Sequence, residues 1–167
     1  MPDPFALFDL PRGFAVDLSE LQRRYLQRSA ETHPDRFTDP LEQADAADRA
    51  AELNDALKRL TDPERRARLL LELAGQEISS DEQTLPPAML MEVMEVREAL
   101  DQAVEQNDTA ELERLHRWVQ QQRDEYLQQL ASLFEAPSLD AAAVQRQLNG
   151  LRYIERMREQ MPEGSGA

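Results

Sequence analysis

Apolar residues recur every three or four positions along most of the chain, which is the period of an amphipathic helix. In one clear run, Leu18, Leu21 and Tyr25 share a helical face. Pro34 ends this run, because proline disfavours helical backbone at the residue before it. Alternation of apolar and polar residues, the pattern of a half-buried strand, extends over no convincing length. The sequence therefore predicts an all-α protein.

Helix starts are marked by residues whose side chains can accept hydrogen bonds from free backbone amides. Such residues predict helices that begin after Asp17, Asp39, Asp62, Asp108 and Ser138. Glu20 stands three residues after Asp17, which predicts a capping box in which the Glu20 carboxylate reaches back to the start of the helix. A short helix at 5–10 and a longer one at 88–105 are also predicted.

A polar segment, GQEISSDEQT at 75–84, interrupts the helical pattern and predicts a domain boundary. We predict an N-terminal helical hairpin domain at 1–75, joined by a linker at 76–84 to a three-helix bundle at 85–161, and a disordered tail at 162–167. The net charge of −14 is unevenly divided, with −4 in residues 1–75 and −10 in residues 76–167. This division indicates two units with different partners.

Composition and charge exclude several classes of function. A pI near 4.5 argues against binding to nucleic acid or to an anionic membrane, since both need clustered positive charge. The chain has no Cys, and its two His, His33 and His116, are in no metal-binding spacing. We therefore expect no metal site and no cofactor. We also expect a non-enzymatic, cytoplasmic protein, because catalytic motifs are absent and no stretch is apolar enough to span a membrane.

The tripeptide His33-Pro34-Asp35 lies between two predicted helices. Its simplest interpretation is an interhelical turn, in which Pro stops one helix and Asp satisfies turn amides. The preceding helix, however, carries Arg23, Arg24 and Arg28 away from its apolar face. A rigid, exposed loop beside a basic helical face predicts a docking element for an acidic protein surface.

Tyr25 stands eight positions before His33, LNDA spans 53–56 and LTDPERR spans 60–66. Together with the His-Pro-Asp loop, these residues resemble the J-domain of DnaJ-type co-chaperones. Four further segments resemble the HscB co-chaperone family, namely FALFDLP at 5–11, RARLLLELAG at 66–75, LMEVMEVREALD at 90–101 and LRYI at 151–154. The resemblance extends from residue 5 to about residue 160. It departs from the general J-domain pattern at Arg28, where Leu is common, and at Thr32, where Tyr is common.

The resemblance implies two partners. In this family the His-Pro-Asp loop and the basic helix dock on a DnaK/HscA-class chaperone and stimulate its ATP hydrolysis, while the bundle binds an IscU-type iron–sulfur scaffold. Carried over by position, the chaperone-binding residues are His33, Pro34, Asp35, Arg23, Arg24, Arg28 and Arg36. The scaffold-binding residues are Leu90, Met91, Met94, Glu95, Glu98 and Tyr153. We expect the protein to be a monomer.

Four alternatives stay open from the sequence alone. The apolar positions from Leu90 to Met94 could equally form the bundle core, since every helix of a bundle needs an inward face. The chain could be a J-domain protein with a different client, or a structural helical protein that associates with itself through this segment. A hydrolase that uses His33 and Asp35 is the weakest alternative, because no nucleophile or orienting group stands in reach.

Overall fold

The computed structural model describes residues 3–76 and 87–162. Every regular element within these ranges is helical, which confirms the all-α prediction. The chain divides into two compact units, residues 1–76 and 77–167. Residues 77–84 of the predicted linker and 163–167 of the predicted tail lie outside the described ranges.

The first unit contains four helices and one short 3-10 turn. The helices are α1 (Pro4–Leu7), α2 (Leu18–Glu31), α3 (Pro40–Thr61) and α4 (Pro63–Leu73), and the 3-10 turn spans Pro34–Arg36 between α2 and α3. Each helix begins at an aspartate whose carboxylate accepts hydrogen bonds from backbone amides of the first turn. A cap of this kind typically contributes about 1 kcal/mol. The caps at Asp17, Asp39 and Asp62 were predicted and are confirmed.

The core of the first unit joins all four helices. Its fully or nearly fully buried members are Phe5, Phe8, Leu21, Leu53, Ala56, Leu60 and Leu69. Outside this core, the Tyr25 hydroxyl donates a hydrogen bond of 2.7 Å to Asn54 Oδ1 and so links α2 to α3. The two helices form the predicted hairpin, and the His-Pro-Asp loop lies where the chain passes from one to the other.

The second unit is a bundle of α5 (Pro87–Gln106), α6 (Thr109–Glu135) and α7 (Ala141–Gln160). Its core includes Val93 and Leu100 from α5, Leu115 and Val119 from α6, and Ile154 from α7. These three helices fulfil the prediction of a three-helix bundle.

The turn between α5 and α6 is very short. Asn107 adopts a left-handed backbone with φ of 52°, and its amide donates to the Val104 carbonyl at 3.2 Å while the Asp108 amide donates to Ala103 at 2.9 Å. These two bonds form the Schellman arrangement that ends many helices. Asp108 also caps α6, since its carboxylate accepts from the Glu111 amide at 3.0 Å.

The prediction that Ser138 caps the last helix is wrong. The N-cap of α7 is Asp140, whose carboxylate accepts a hydrogen bond of 2.9 Å from the Ala143 amide. Both residues precede the helical pattern closely enough to serve as a cap. The negative charge of Asp140 also interacts favourably with the positive end of the helix dipole, which a serine hydroxyl does less well.

A glycine allows α6 and α7 to approach closely. At Gly150 a Cβ atom would lie 2.5 Å from both Cε1 and Cζ of Tyr126, far inside van der Waals contact. The Tyr126 hydroxyl in turn donates to the thioether sulfur of Met89 at 2.8 Å, which ties α6 to the start of α5. Partial burial is the largest cause of the raised pKa of Tyr126, and the nearby carboxylates of Glu92 and Glu125 add to it.

We predict that Gly150→Ala lowers the free energy of unfolding of the bundle by about 1–3 kcal/mol, because the added methyl group overpacks against the Tyr126 ring. The measurement is urea unfolding followed by the fluorescence of Trp118, the single tryptophan, which packs against the bundle core. In a Tyr126→Ala background the same substitution should instead stabilise by up to about 1 kcal/mol, since alanine is the better helix former. Equal effects in the two backgrounds would contradict the proposed clash.

Candidate functional site

The His-Pro-Asp segment forms a closed and exposed turn. The Arg36 amide donates to the His33 carbonyl at 3.0 Å, which closes the 3-10 turn. The Asp35 amide donates to Nδ1 of His33 at 3.3 Å, and the Asp35 carboxylate lies 3.7 Å from the same nitrogen. Both side chains are largely exposed. The imidazole and the carboxylate are thus presented together by one turn of backbone.

This turn is held by the helix on either side. The Arg36 guanidinium donates to the Ala30 carbonyl of α2 at 3.0 Å. Gln43 of α3 donates to the Phe37 carbonyl at 2.8 Å, just beyond the turn. Thr32 ends α2, and its hydroxyl donates to the Arg28 carbonyl at 3.0 Å. Arg36, predicted as a docking residue, therefore also supports the loop from within the unit.

The basic face of α2 is organised around one carboxylate. Glu20 accepts hydrogen bonds from Arg23 at 2.7 and 2.8 Å and from Arg24 at 2.6 Å. These bonds, first those of Arg23 and then that of Arg24, lower the pKa of Glu20 to about 2. Because the folded pKa lies below the ordinary value, this cluster contributes to stability at neutral pH and loses its contribution as the pH falls towards 2. The Glu20 carboxylate thus binds arginines, whereas the sequence predicted that it reaches back to the helix start.

Arg24 and Arg28 connect α2 to the end of α1. One guanidinium nitrogen of Arg24 donates to the carbonyls of Phe8 at 2.7 Å and Asp9 at 2.6 Å. Arg28 pairs with the carboxylate of Asp9. Asp9 itself has a left-handed backbone, with φ of 52°, which aspartate tolerates better than most residues. Two of the predicted docking cations therefore have a structural role within the first unit.

The predicted docking cations of α2 differ in how far they reach into solvent. The Arg23 side chain is 63% exposed and that of Arg24 is 29% exposed. Arg28 is intermediate, at 42%. Sequence reasoning missed Asp9 as the partner of Arg28 and Asn54 as the partner of Tyr25. Each pair spans more than fifteen residues of sequence, and such tertiary pairing leaves no signal in helical periodicity.

The apolar segment at the start of α5 is exposed. Leu90, Met91 and Met94 are among the most exposed large apolar residues of the described chain, and Glu95 and Glu98 are exposed beside them. We call these five residues the α5 strip. Four of its members, Met91, Met94, Glu95 and Glu98, line a shallow depression of about 520 Å³ together with Arg97 and Asp101. The bundle-core alternative for Leu90, Met91 and Met94 is therefore wrong.

Tyr153, the sixth predicted scaffold-binding residue, lies on α7. It is partly buried and packs against the bundle core. Arg97, which sequence reasoning missed, extends from α5 to α7 and donates to the Gln160 side chain at 3.2 Å. Its position three residues after Met94 could have indicated a place beside the strip, since residues three apart are neighbours on a helix.

Within 3–76 and 87–162, His, Cys, Asp and Glu form no group of three or more that could hold a metal ion. In the same ranges, none of the helices is both long and apolar enough to cross a bilayer. His116, on α6, contacts the last described residue of the second unit: its Nε2 is 3.0 Å from the Pro162 carbonyl oxygen.

A helical hairpin with an exposed His-Pro-Asp turn, followed by a three-helix bundle with an apolar and acidic strip, is the arrangement that the resemblance to J-domain co-chaperones implies. Comparison with known proteins agrees. The family model of the HSCB C-terminal oligomerisation domain matches residues 85–161. A co-chaperone protein HscB homolog of Cupriavidus taiwanensis is 38% identical over 157 residues, which cover 92% of this chain and 89% of the relative.

The co-chaperone protein HscB homolog of Bordetella petrii is 33% identical over 162 residues, which cover 95% of this chain and 94% of the relative. Chaperone HscB from Vibrio cholerae has a TM-score of 0.83 at 31% identity, over 95% of this chain and 94% of that one. Human co-chaperone protein HscB has a TM-score of 0.83 at 30% identity, over 96% of this chain and 80% of the human one. The chain belongs to the HscB co-chaperone family. Membership supports a co-chaperone role in iron–sulfur cluster assembly, and HscB co-chaperones are generally non-enzymatic.

We predict that Arg24→Met lowers the free energy of unfolding of the first unit by about 1–3 kcal/mol, because charge-assisted hydrogen bonds to two carbonyls of the α1 end are lost. Urea unfolding, together with hydrogen exchange at the amides of residues 7–10, measures this effect. The matched variant Arg23→Met should lower the free energy of unfolding much less and leave exchange at residues 7–10 unchanged, since Arg23 is exposed and its ion pair with Glu20 is solvated. Similar losses in the two variants would show that the tie to α1 does not matter.

Proposed function

We propose that the chain docks on a DnaK/HscA-class chaperone through its His-Pro-Asp turn, stimulates ATP hydrolysis there, and delivers an IscU-type iron–sulfur scaffold bound to its bundle. The observation that carries the proposal is the turn at His33–Asp35, which is exposed and yet held by contacts from α2 and α3. A surface that is already ordered loses little conformational entropy when it binds. This geometry supports a docking role better than that of a simple interhelical connection.

The charges near the turn support an acidic partner surface. Arg23 is the most exposed of the three arginines on α2 and is held in place by Glu20. Arg28 lies one helical turn before the end of α2, with its guanidinium partly exposed next to Asp9. Positive groups arranged in this way speed up encounter with a negatively charged partner, more than they add to final affinity.

The α5 strip supports the scaffold-binding half of the proposal. An exposed apolar surface on a folded unit marks an interaction site when it is continuous and bordered by polar residues. Here two methionines, which adapt readily to different contacts, lie next to Glu95 and Glu98. These carboxylates favour a scaffold surface with basic side chains. Monomeric state and cytoplasmic location remain predictions.

We predict that the chain raises the ATPase rate of a DnaK/HscA-class chaperone and that Asp35→Asn reduces this stimulation at least about tenfold, a loss of roughly 1.4 kcal/mol. The substitution removes the exposed charge and leaves the backbone amide that donates to His33 in place. Asp48→Asn, the same change on the exposed surface of α3, serves as the control and should retain stimulation. Stimulation that is absent, or equal in both variants, would refute the chaperone-docking role.

We predict that Met91→Ala and Met94→Ala each weaken binding to an IscU-type scaffold by about 1–3 kcal/mol, the cost typical of a central interface contact. Calorimetric titration measures the change. Val104→Ala is the matched control, since Val104 is exposed on the same helix but does not line the depression. A chain that stimulates the chaperone without binding the scaffold would be a J-domain protein with a different client. Mass that rises with concentration in sedimentation experiments would instead favour self-association.

A further inference from the structure

All sulfur in this chain is thioether sulfur. The sequence contains six Met and no Cys. Three of the methionines, Met89, Met91 and Met94, lie within the first eight residues of α5. Met157 and Met161 are near the end of the chain, on α7 and at its C-cap. Half of the sulfur atoms are therefore gathered at the beginning of one helix.

The methionines differ strongly in accessibility. Met91 and Met94 are 64% and 63% exposed, whereas Met157 and Met161 are 6% and 8% exposed in the bundle core. Met89 is intermediate, since it is partly buried and its sulfur accepts a hydrogen bond of 2.8 Å from Tyr126. An oxidant in solution thus meets the two sulfur atoms of the α5 strip before those that support the fold.

We propose that Met91 and Met94 form a reversible oxidation site, whose sulfoxides switch off scaffold binding while the fold of the bundle is retained. The inference rests on the proposed function of the α5 strip. The oxidant is a peroxide. The thioether sulfur attacks one peroxide oxygen, so that an S–O bond forms as the O–O bond breaks. The sulfur is oxidised by two electrons, the peroxide is reduced, and a proton moves to the leaving hydroxide to give water.

The consequence follows from the polarity of the product. A sulfoxide is polar and chiral, and it disrupts contact surfaces that depend on methionine. Burying its oxygen against a partner without a hydrogen bond carries a desolvation cost. The neighbouring Glu95 and Glu98 offer no compensation, because ionised carboxylates only accept hydrogen bonds, and the nearby Arg97 already donates to the Gln160 side chain. The bundle stays folded, because Met157 and Met161 are buried in its core and react more slowly with the oxidant.

The test begins with hydrogen peroxide acting on the full chain. Peptide mass spectrometry should show 16-dalton additions, one oxygen each, at Met91 and Met94 well before Met157 and Met161. Circular dichroism should remain that of a folded helical protein. Affinity for the scaffold should fall by about tenfold or more as the two sulfoxides accumulate. Treatment with methionine sulfoxide reductases of both epimer specificities should restore binding.

Leucine variants separate this site from the other methionines. Met91→Leu combined with Met94→Leu keeps an apolar surface of similar volume, so the double variant should bind the scaffold and keep its affinity after peroxide treatment. Met89→Leu, the matched control beside the strip, should lose affinity on oxidation as the unmodified chain does. Stimulation of the chaperone in the absence of scaffold should not change with oxidation.

Two results would contradict this inference and leave the proposed function intact. One is full scaffold affinity in protein that carries both sulfoxides, and the other is equal loss of affinity in the double leucine variant after peroxide. If the untreated chain never binds the scaffold, the proposed function fails and this inference fails with it. Scaffold binding by the untreated chain distinguishes these cases, because it tests the proposed function before any sulfur is oxidised.

Discussion

Capping by aspartate is the interaction on which the rest of the structure depends. Six of the seven helices in the described ranges begin at an aspartate whose carboxylate accepts amide hydrogen bonds of the first turn. These caps determine where each helix begins, and so how long each connection is. The connection between α2 and α3 is bounded in this way by the end of α2 at Thr32 and the cap at Asp39. The His-Pro-Asp turn therefore forms between two fixed points, the end of α2 and the start of α3.

Much of this architecture could be predicted from sequence, because helical periodicity and capping are local properties. Ser138 and Asp140 were hard to distinguish, since both stand just before the pattern of α7 and differ mainly in charge. The segment from Leu90 to Met94 was ambiguous for another reason. Apolar residues there cover more than one face of the helix, and only packing decides that Val93 is buried while Met91 and Met94 are exposed.

Long-range polar contacts could not be predicted. Arg24 lies on the basic face of α2 in any helical projection, yet its guanidinium is directed to carbonyls fifteen and sixteen residues earlier. A resemblance to a family assigns such a residue to docking, whereas the structure adds a role in holding α1. The proposed docking surface therefore shares Arg24 and Arg28 with the contacts that hold α1, and a substitution there changes the stability of the first unit as well.

The short turn between α5 and α6 has a consequence for how the bundle can vary in length. The Asp108 amide donates the hydrogen bond that ends α5, and the Asp108 carboxylate accepts the one that begins α6. One residue thus serves both helices. A residue inserted there would separate the end of α5 from the cap of α6, so that one amino acid could no longer serve both. The connection between Ala136 and Asp140 carries no such double role, since Ala136 follows α6 and Asp140 caps α7. We therefore expect the bundle to tolerate an inserted residue between α6 and α7 better than one between α5 and α6.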